Sequence, residues 1–136
     1  MSVIAPAATL VFPHAVPPEY GSFVPVAPGV LWLRLALPFA LNHVNIYLIE
    51  DGDGWAVVDA GIADMRTRAV WEGLLRGGLG GRRITRLIVT HYHPDHAGLA
   101  GWLLERCEVD LAMSRAEHAT SHFMRTDPSA VGSPQH

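Results

Sequence analysis

Short runs rich in apolar, β-branched and aromatic residues, bounded by turn residues, predict strands over Val30–Leu37, Asn45–Glu50 and Trp55–Asp59. Asp51-Gly52-Asp53-Gly54 supplies the residues of a tight hairpin between the second and third. From Asp64 the period changes. Met65, Ala69, Trp71, Leu74 and Leu75 fall near helical spacing, Asp64 is placed to cap the helix, and Gly77-Gly78 stops it after Arg76. Ile84 and Leu87–Thr90 then read as a buried strand that ends in polar residues. A helix over Ala97–Arg106, a short strand over Val109–Met113 and a last helix over Arg115–Met124 complete the pattern. The expected class is α/β (α+β), a mixed β-sheet flanked by helices.

Residues 1–28 hold six prolines, each fixing φ and removing a backbone donor, which predicts an extended arm. Residues 29–126 form the expected domain, and 127–136 have the composition of a tail. A length of 136 residues fits one domain, and 49% hydrophobic against 17% charged residues is enough apolar material for a core. The net charge of −3 offers no overall basic field for a polyanion, which disfavours nucleic acid. All 10 basic residues are arginine, so mechanisms needing a lysine Schiff base or a P-loop lysine are excluded. Cys107 is the single cysteine and cannot pair within the chain, and Gly29–Leu41 is too short and too interrupted to span a bilayer. A cytoplasmic location without membrane insertion is the expectation.

The chemistry is concentrated in Thr90-His91-Tyr92-His93-Pro94-Asp95-His96, directly after the buried strand. In extended backbone His91 and His93 face the same side and can present two nitrogens to one metal. Pro94 suits the first turn of a helix, and Asp95 has its charge favoured there by the helix dipole. Asp95 and His96 therefore leave along other vectors, as a second metal would need. Asp59 closes an apolar strand that would bury it, and a buried carboxylate needs a partner, for which the histidine loop is the natural choice.

Two motifs, Val58-Asp59-Ala60-Gly61 and Thr90–Gly98, resemble those of the metallo-β-lactamase fold superfamily of metal-dependent hydrolases, with similarity running from about Gly29 to Thr126. The resemblance implies the first half of an αββα sandwich. It assigns His91 and His93 to one zinc ion, Asp95 and His96 to a second, and Asp59 to orienting the loop. It also implies two zinc ions that activate water for attack on an ester, thioester or amide-like bond of a small-molecule substrate, with Asp95 as the catalytic residue that holds the second metal and orients the nucleophile. Ala97-Gly98-Leu99-Ala100-Gly101 is similar to glyoxalase-II-like members. Family members add a third histidine, a bridging aspartate and a further histidine from later in the domain. Their absence before residue 136 gives the expectation of an N-terminal fragment or truncated product, weak alone as a hydrolase and prone to self-association through an uncovered sheet. The alternatives are an incomplete fragment with weak or no metal binding, and a phosphodiesterase or nuclease of the same fold, against which the low basic content counts.

Other candidates read as structural. His118 and His122, four apart on the last helix, share a face and are expected to be solvated; with Asp127 they are the reserve ligands. His43 is expected to serve its loop, and Arg82, Arg83 and Arg86 to be a solvated cluster without the aromatic interleaving of a nucleic-acid surface.

Overall fold

The computed structural model describes residues 8–126. Six strands, β1 (Phe23–Ala27), β2 (Val30–Ala36), β3 (His43–Asp51), β4 (Gly54–Val58), β5 (Ile84–Val89) and β6 (Leu111–Met113), form one sheet in sequence order. The first four are mutually antiparallel, whereas β4–β5 and β5–β6 pair in parallel. Helix α1 (Met65–Gly73) crosses between β4 and β5, and α2 (Pro94–Ala97) and α3 (Ala100–Cys107) lie between β5 and β6. Helix α4 (Arg115–Thr126) follows β6. The chain is thus a mixed sheet with helices, the α+β class that its pattern predicts.

Register explains the core. Leu31, Leu33 and Leu35 of β2 face Leu48, Ile46 and Val44 of β3, and Val57 sits between Leu48 and Leu87. These leucines and their partners share one face, against which Trp71, Leu74, Leu99 and Leu103 pack from the helical side. Leu33, Ile46, Leu48 and Val57 retain no exposed surface, which contributes about 1.5–3 kcal/mol each relative to exposure. The alternate face carries Trp32, Tyr47, Ile49, Val58 and Ile88, none of which joins the core cluster; Tyr47 and Ile49 remain 37% and 40% exposed.

Several boundaries differ from the sequence pattern for identifiable reasons. The segment read as an extended arm contains β1, which pairs with β2 through a turn at Gly29; Pro25 is tolerated because β1 is an edge strand. The helix expected to Arg76 is regular only to Gly73 and widens over Leu74–Gly78 as it nears the paired glycines. The helix expected over Ala97–Arg106 is two, with Pro94 opening α2 one residue after His93 and Leu99 leaving helical geometry before α3. Residues 127–136, including Asp127, lie outside the described residues.

The sheet has two chemically distinct ends. Where β4 and β5 begin, Arg82 pairs with Glu50 at 2.9 Å, Arg83 with Asp53 at 3.2 Å and Arg86 with Asp51 at 3.0 Å. The arginine cluster read as solvated is therefore neutralised by three carboxylates, and Arg82 also stacks 4.4 Å over Trp55. At the other end the parallel strands β4, β5 and β6 finish side by side, so that Asp59, Thr90 and Ser114 emerge together.

Candidate metal centre

The two sequence motifs meet at that second end. Asp59 adopts φ 69°, a left-handed conformation that aspartate tolerates better than most residues. This turns the chain out of β4, and the Ala60 N–H donates to His96 O at 2.8 Å while the Leu99 N–H donates to Gly61 O at 3.1 Å. Both glycines of the junction are required by space. A Cβ on Gly61 would lie 2.8 Å from side-chain carbons of Leu35 and Thr67, in a backbone already at φ 86°. A Cβ on Gly98 would lie 2.4 Å from Pro94 O and 2.7 Å from Ala63 N. Beneath the junction, the fully buried Trp71 donates its indole N–H to Ala60 O at 2.8 Å.

Asp59, only 4% exposed, is the hub of the polar network. Its Oδ1 accepts the Thr90 N–H at 2.8 Å, its Oδ2 accepts from His96 Nδ1 at 2.8 Å, and the Thr90 hydroxyl lies 3.0 and 2.9 Å from the two oxygens. His91 Nδ1 is in turn 2.8 Å from that hydroxyl. A carboxylate only accepts, so the Thr90 O–H donates to Asp59 and leaves its oxygen to accept from His91 Nδ1. Both His91 and His96 are thereby held with a proton on Nδ1, which leaves Nε2 as the nitrogen that the neutral ring offers to a metal.

The three imidazoles of the loop lie close together, His96 no farther from His91 than His93 is, although the sequence reading sends His96 along another vector. The ring of His91 lies 4.7 Å from that of His93 and 4.1 Å from that of His96, centroid to centroid. His96 Nε2 and Asp95 Oδ2 are 3.4 Å apart, the separation two ligands need when each is about 2.1 Å from a tetrahedral zinc ion. The donor set fits zinc in type, tautomer and this pairwise spacing. Among the described residues, however, no group of three or more His, Cys, Asp or Glu side chains is placed to hold one ion.

The remaining candidates stand apart. His43 bonds to Asn42 Oδ1 at 2.7 Å at the start of β3. His118 and His122 are exposed on α4, their rings stacked 6.5 Å apart. Burial pushes the Cys107 thiol up, which keeps it protonated at neutral pH and a poor ligand or nucleophile. Glu117 was not singled out in the sequence, yet its carboxylate accepts the Tyr92 N–H at 2.9 Å. Its signal was the Ser114-x-x-Glu117 spacing at the start of α4.

A family model described as the metallo-beta-lactamase superfamily matches residues 40–128. The chain belongs to that superfamily. Among related proteins, this metallo-β-lactamase-fold chain is 35% identical over 81 residues to the probable metallo-hydrolase YqjP of Bacillus subtilis, covering 59% of itself and 25% of YqjP. It superposes with a TM-score of 0.79 on a beta-lactamase domain protein from Burkholderia ambifaria at 40% identity, over 88% of its own length and 38% of the other. The metallo-β-lactamase FIM-1 from Pseudomonas aeruginosa, solved in a mono-zinc form, shares the fold with a TM-score of 0.63 at 21% identity, over 75% of this chain and 45% of FIM-1. The chain thus spans about a quarter of the length of the curated relative and less than half that of these structures. Membership places it in a family of metallo-hydrolases. No helix among the described residues is long and apolar enough to cross a membrane.

Proposed function

We propose that this chain carries the zinc-binding loop of a metal-dependent hydrolase that cleaves an ester, thioester or amide-like bond of a small molecule. The observation that carries the reading is the network in which Asp59 fixes Nδ1 of His96 directly and Nδ1 of His91 through Thr90. Two imidazoles that offer Nε2 from one loop have little use in a merely structural turn. His91 and His93 would serve one ion, and Asp95 and His96 a second. Bound zinc supplies Lewis acidity and water activation near neutral pH. The protein's own part is to hold the donors: Asp59 sets the tautomers, Pro94 directs Asp95 and His96 into the first turn of α2, and Gly98 lets that turn seat on residues 61–63. Asp95, whose Oδ2 lies 3.4 Å from His96 Nε2, would hold the second ion and orient a nucleophile.

A second reading, in which the 136-residue chain alone is an incomplete site with weak metal affinity, is favoured by the lack of any three-donor group among the described residues. One experiment separates them. Zinc stoichiometry and affinity are measured by competition with a chromophoric chelator, and turnover is assayed with a thioester, a β-lactam and an activated phosphodiester. Tight zinc binding with carbonyl-substrate turnover supports the hydrolase; binding at the loop without turnover supports the incomplete site. Preferential turnover of the phosphodiester would reject the carbonyl reading, and a chain that binds no zinc would reject the metal assignment. The expected self-association through the face bearing Trp32, Tyr47 and Ile49 is part of the same proposal, tested by sedimentation.

A further inference from the structure

The histidine loop leaves the sheet after Val89, and there two of its amides find carboxylates in place of strand partners. Thr90 donates to Asp59 Oδ1 at 2.8 Å, and Tyr92 donates to Glu117 Oε2 at 2.9 Å. The two carboxylates come from different elements: Asp59 closes β4 on one side of β5, and Glu117 stands in the first turn of α4, beyond β6 on the other.

Glu117 occupies a position whose usual task lies elsewhere. In a capping box, the N-cap serine accepts the N–H of the residue three later, and the glutamate there returns its side chain to the serine's own N–H. Here Ser114 Oγ accepts the Glu117 N–H at 3.2 Å, but the carboxylate reaches Tyr92 instead, 25 residues earlier in the chain. Close packing of the helix does not force this, because α4 has no buried residue. The reach is available because β6 runs parallel to β5 with Met113 opposite Val89, which brings the start of α4 beside the loop.

We infer that Glu117 is a positioning residue for the histidine loop, holding the backbone between His91 and His93 so that their imidazoles keep a common direction. A hydrogen bond at the Tyr92 N–H fixes the peptide plane joining residues 91 and 92, at a bend across which the His91 and His93 rings lie 4.7 Å apart. Asp59 orients ligands through their ring nitrogens, whereas Glu117 orients them through the main chain. The inference rests on the reading of the loop as a zinc site.

The test combines amide hydrogen exchange of Tyr92 in the zinc-free protein with zinc affinity by chelator competition, in wild type, Glu117→Ala, Glu117→Gln and Ser114→Ala. Glu117→Ala is expected to make the Tyr92 amide exchange fast and to lower zinc affinity about 10–100-fold, as loss of an outer-shell partner does. Glu117→Gln, which keeps an acceptor oxygen, is expected to retain slow exchange and most of the affinity. Ser114→Ala removes the helix cap but not the Tyr92 bond, and is expected to fray α4 with little change in zinc binding. Unchanged exchange and affinity in Glu117→Ala, or an equal loss of affinity in Ser114→Ala, would overturn the inference. If Glu117→Ala fails to fold, fast Tyr92 exchange in a folded Glu117→Gln would overturn it equally. Wild-type protein that binds no zinc, while its Tyr92 exchange still depends on Glu117, would overturn the proposed function and leave the loop contact standing.

Discussion

Replacing Asp59 by Asn tests the polar hub with almost no change in volume. The carboxylate offers two acceptor oxygens to three donors, the Thr90 N–H, the Thr90 O–H and the His96 Nδ1–H. An amide keeps one acceptor and turns an NH₂ group toward the remaining partner. If the oxygen stays on Thr90, the NH₂ meets His96 Nδ1, which can accept from it only by moving its proton to Nε2. Stability and ligation are then both reduced. One hydrogen bond to a charged group is lost in a site 4% exposed, a cost of about 2 kcal/mol. With about 2.1 cal/mol/K of unfolding entropy per residue over 136 residues, the melting midpoint falls by about 7 °C. Zinc affinity falls about 10–100-fold because the ligating nitrogen of His96 carries a proton. Thermal melts in a chelator measure the first effect, chelator competition the second, and long-range ¹⁵N–¹H correlation of the His96 ring reads the tautomer directly. A variant with wild-type melting, wild-type zinc affinity and the His96 proton still on Nδ1 would refute the reasoning.

Three further outcomes are expected. Gly98→Ala forces the turn of α2 away from residues 61–63 and should destabilise the chain by about 1–3 kcal/mol, measured by urea titration; the same substitution at Gly101, where a Cβ meets nothing within 4 Å, should be neutral or stabilising. His93→Ala should lose zinc on dialysis more completely than His118→Ala, as elemental analysis would show, because His93 belongs to the clustered loop and His118 to an exposed helix face. Acidification should weaken the fold: the Thr85 hydroxyl and Arg86 hold the Asp51 carboxyl below its ordinary range, Arg83 does so for Asp53, and Arg106 for Glu72. A lowered folded-state value means that the contribution is full above the ordinary carboxylate pKa and is lost as pH falls below about 4 through the folded values. Melts across that range at low and high salt check it, the effect shrinking with salt because these pairs are exposed.

Much of this molecule is legible in its sequence because its strands are short, apolar and punctuated by turns. The hairpin at Asp51–Gly54, the buried strand β5 that follows the helix and the opening of α2 at Pro94 all follow from residue type and period. The strand β1 did not, since proline content argues against pairing unless the edge position is known, and edges are set by topology. The partners of Arg82, Arg83 and Arg86 were hidden for a similar reason: each lies about 30 residues away, across a register that only the folded sheet defines. Glu117 was legible as a helix-capping residue but not as a loop partner. Its sequence spacing reports the helix it begins, whereas its bond to Tyr92 depends on where β6 lays that helix down.

The seating of Gly98 against residues 61–63 bears on what an engineer could move. The nine residues from Thr90 to Gly98 look like a cassette, a compact peptide carrying every ligand the loop offers. Transplanted alone, they would arrive without the acceptor that sets two tautomers, without the Ala60 N–H that donates to His96 O, and with a glycine whose missing side chain has no neighbour to accommodate. The transferable unit is instead a junction: two adjacent parallel strand ends, the left-handed turn at Asp59 and the short helix that closes on it. A scaffold able to receive this chemistry must supply parallel strands with that offset before a single histidine is placed.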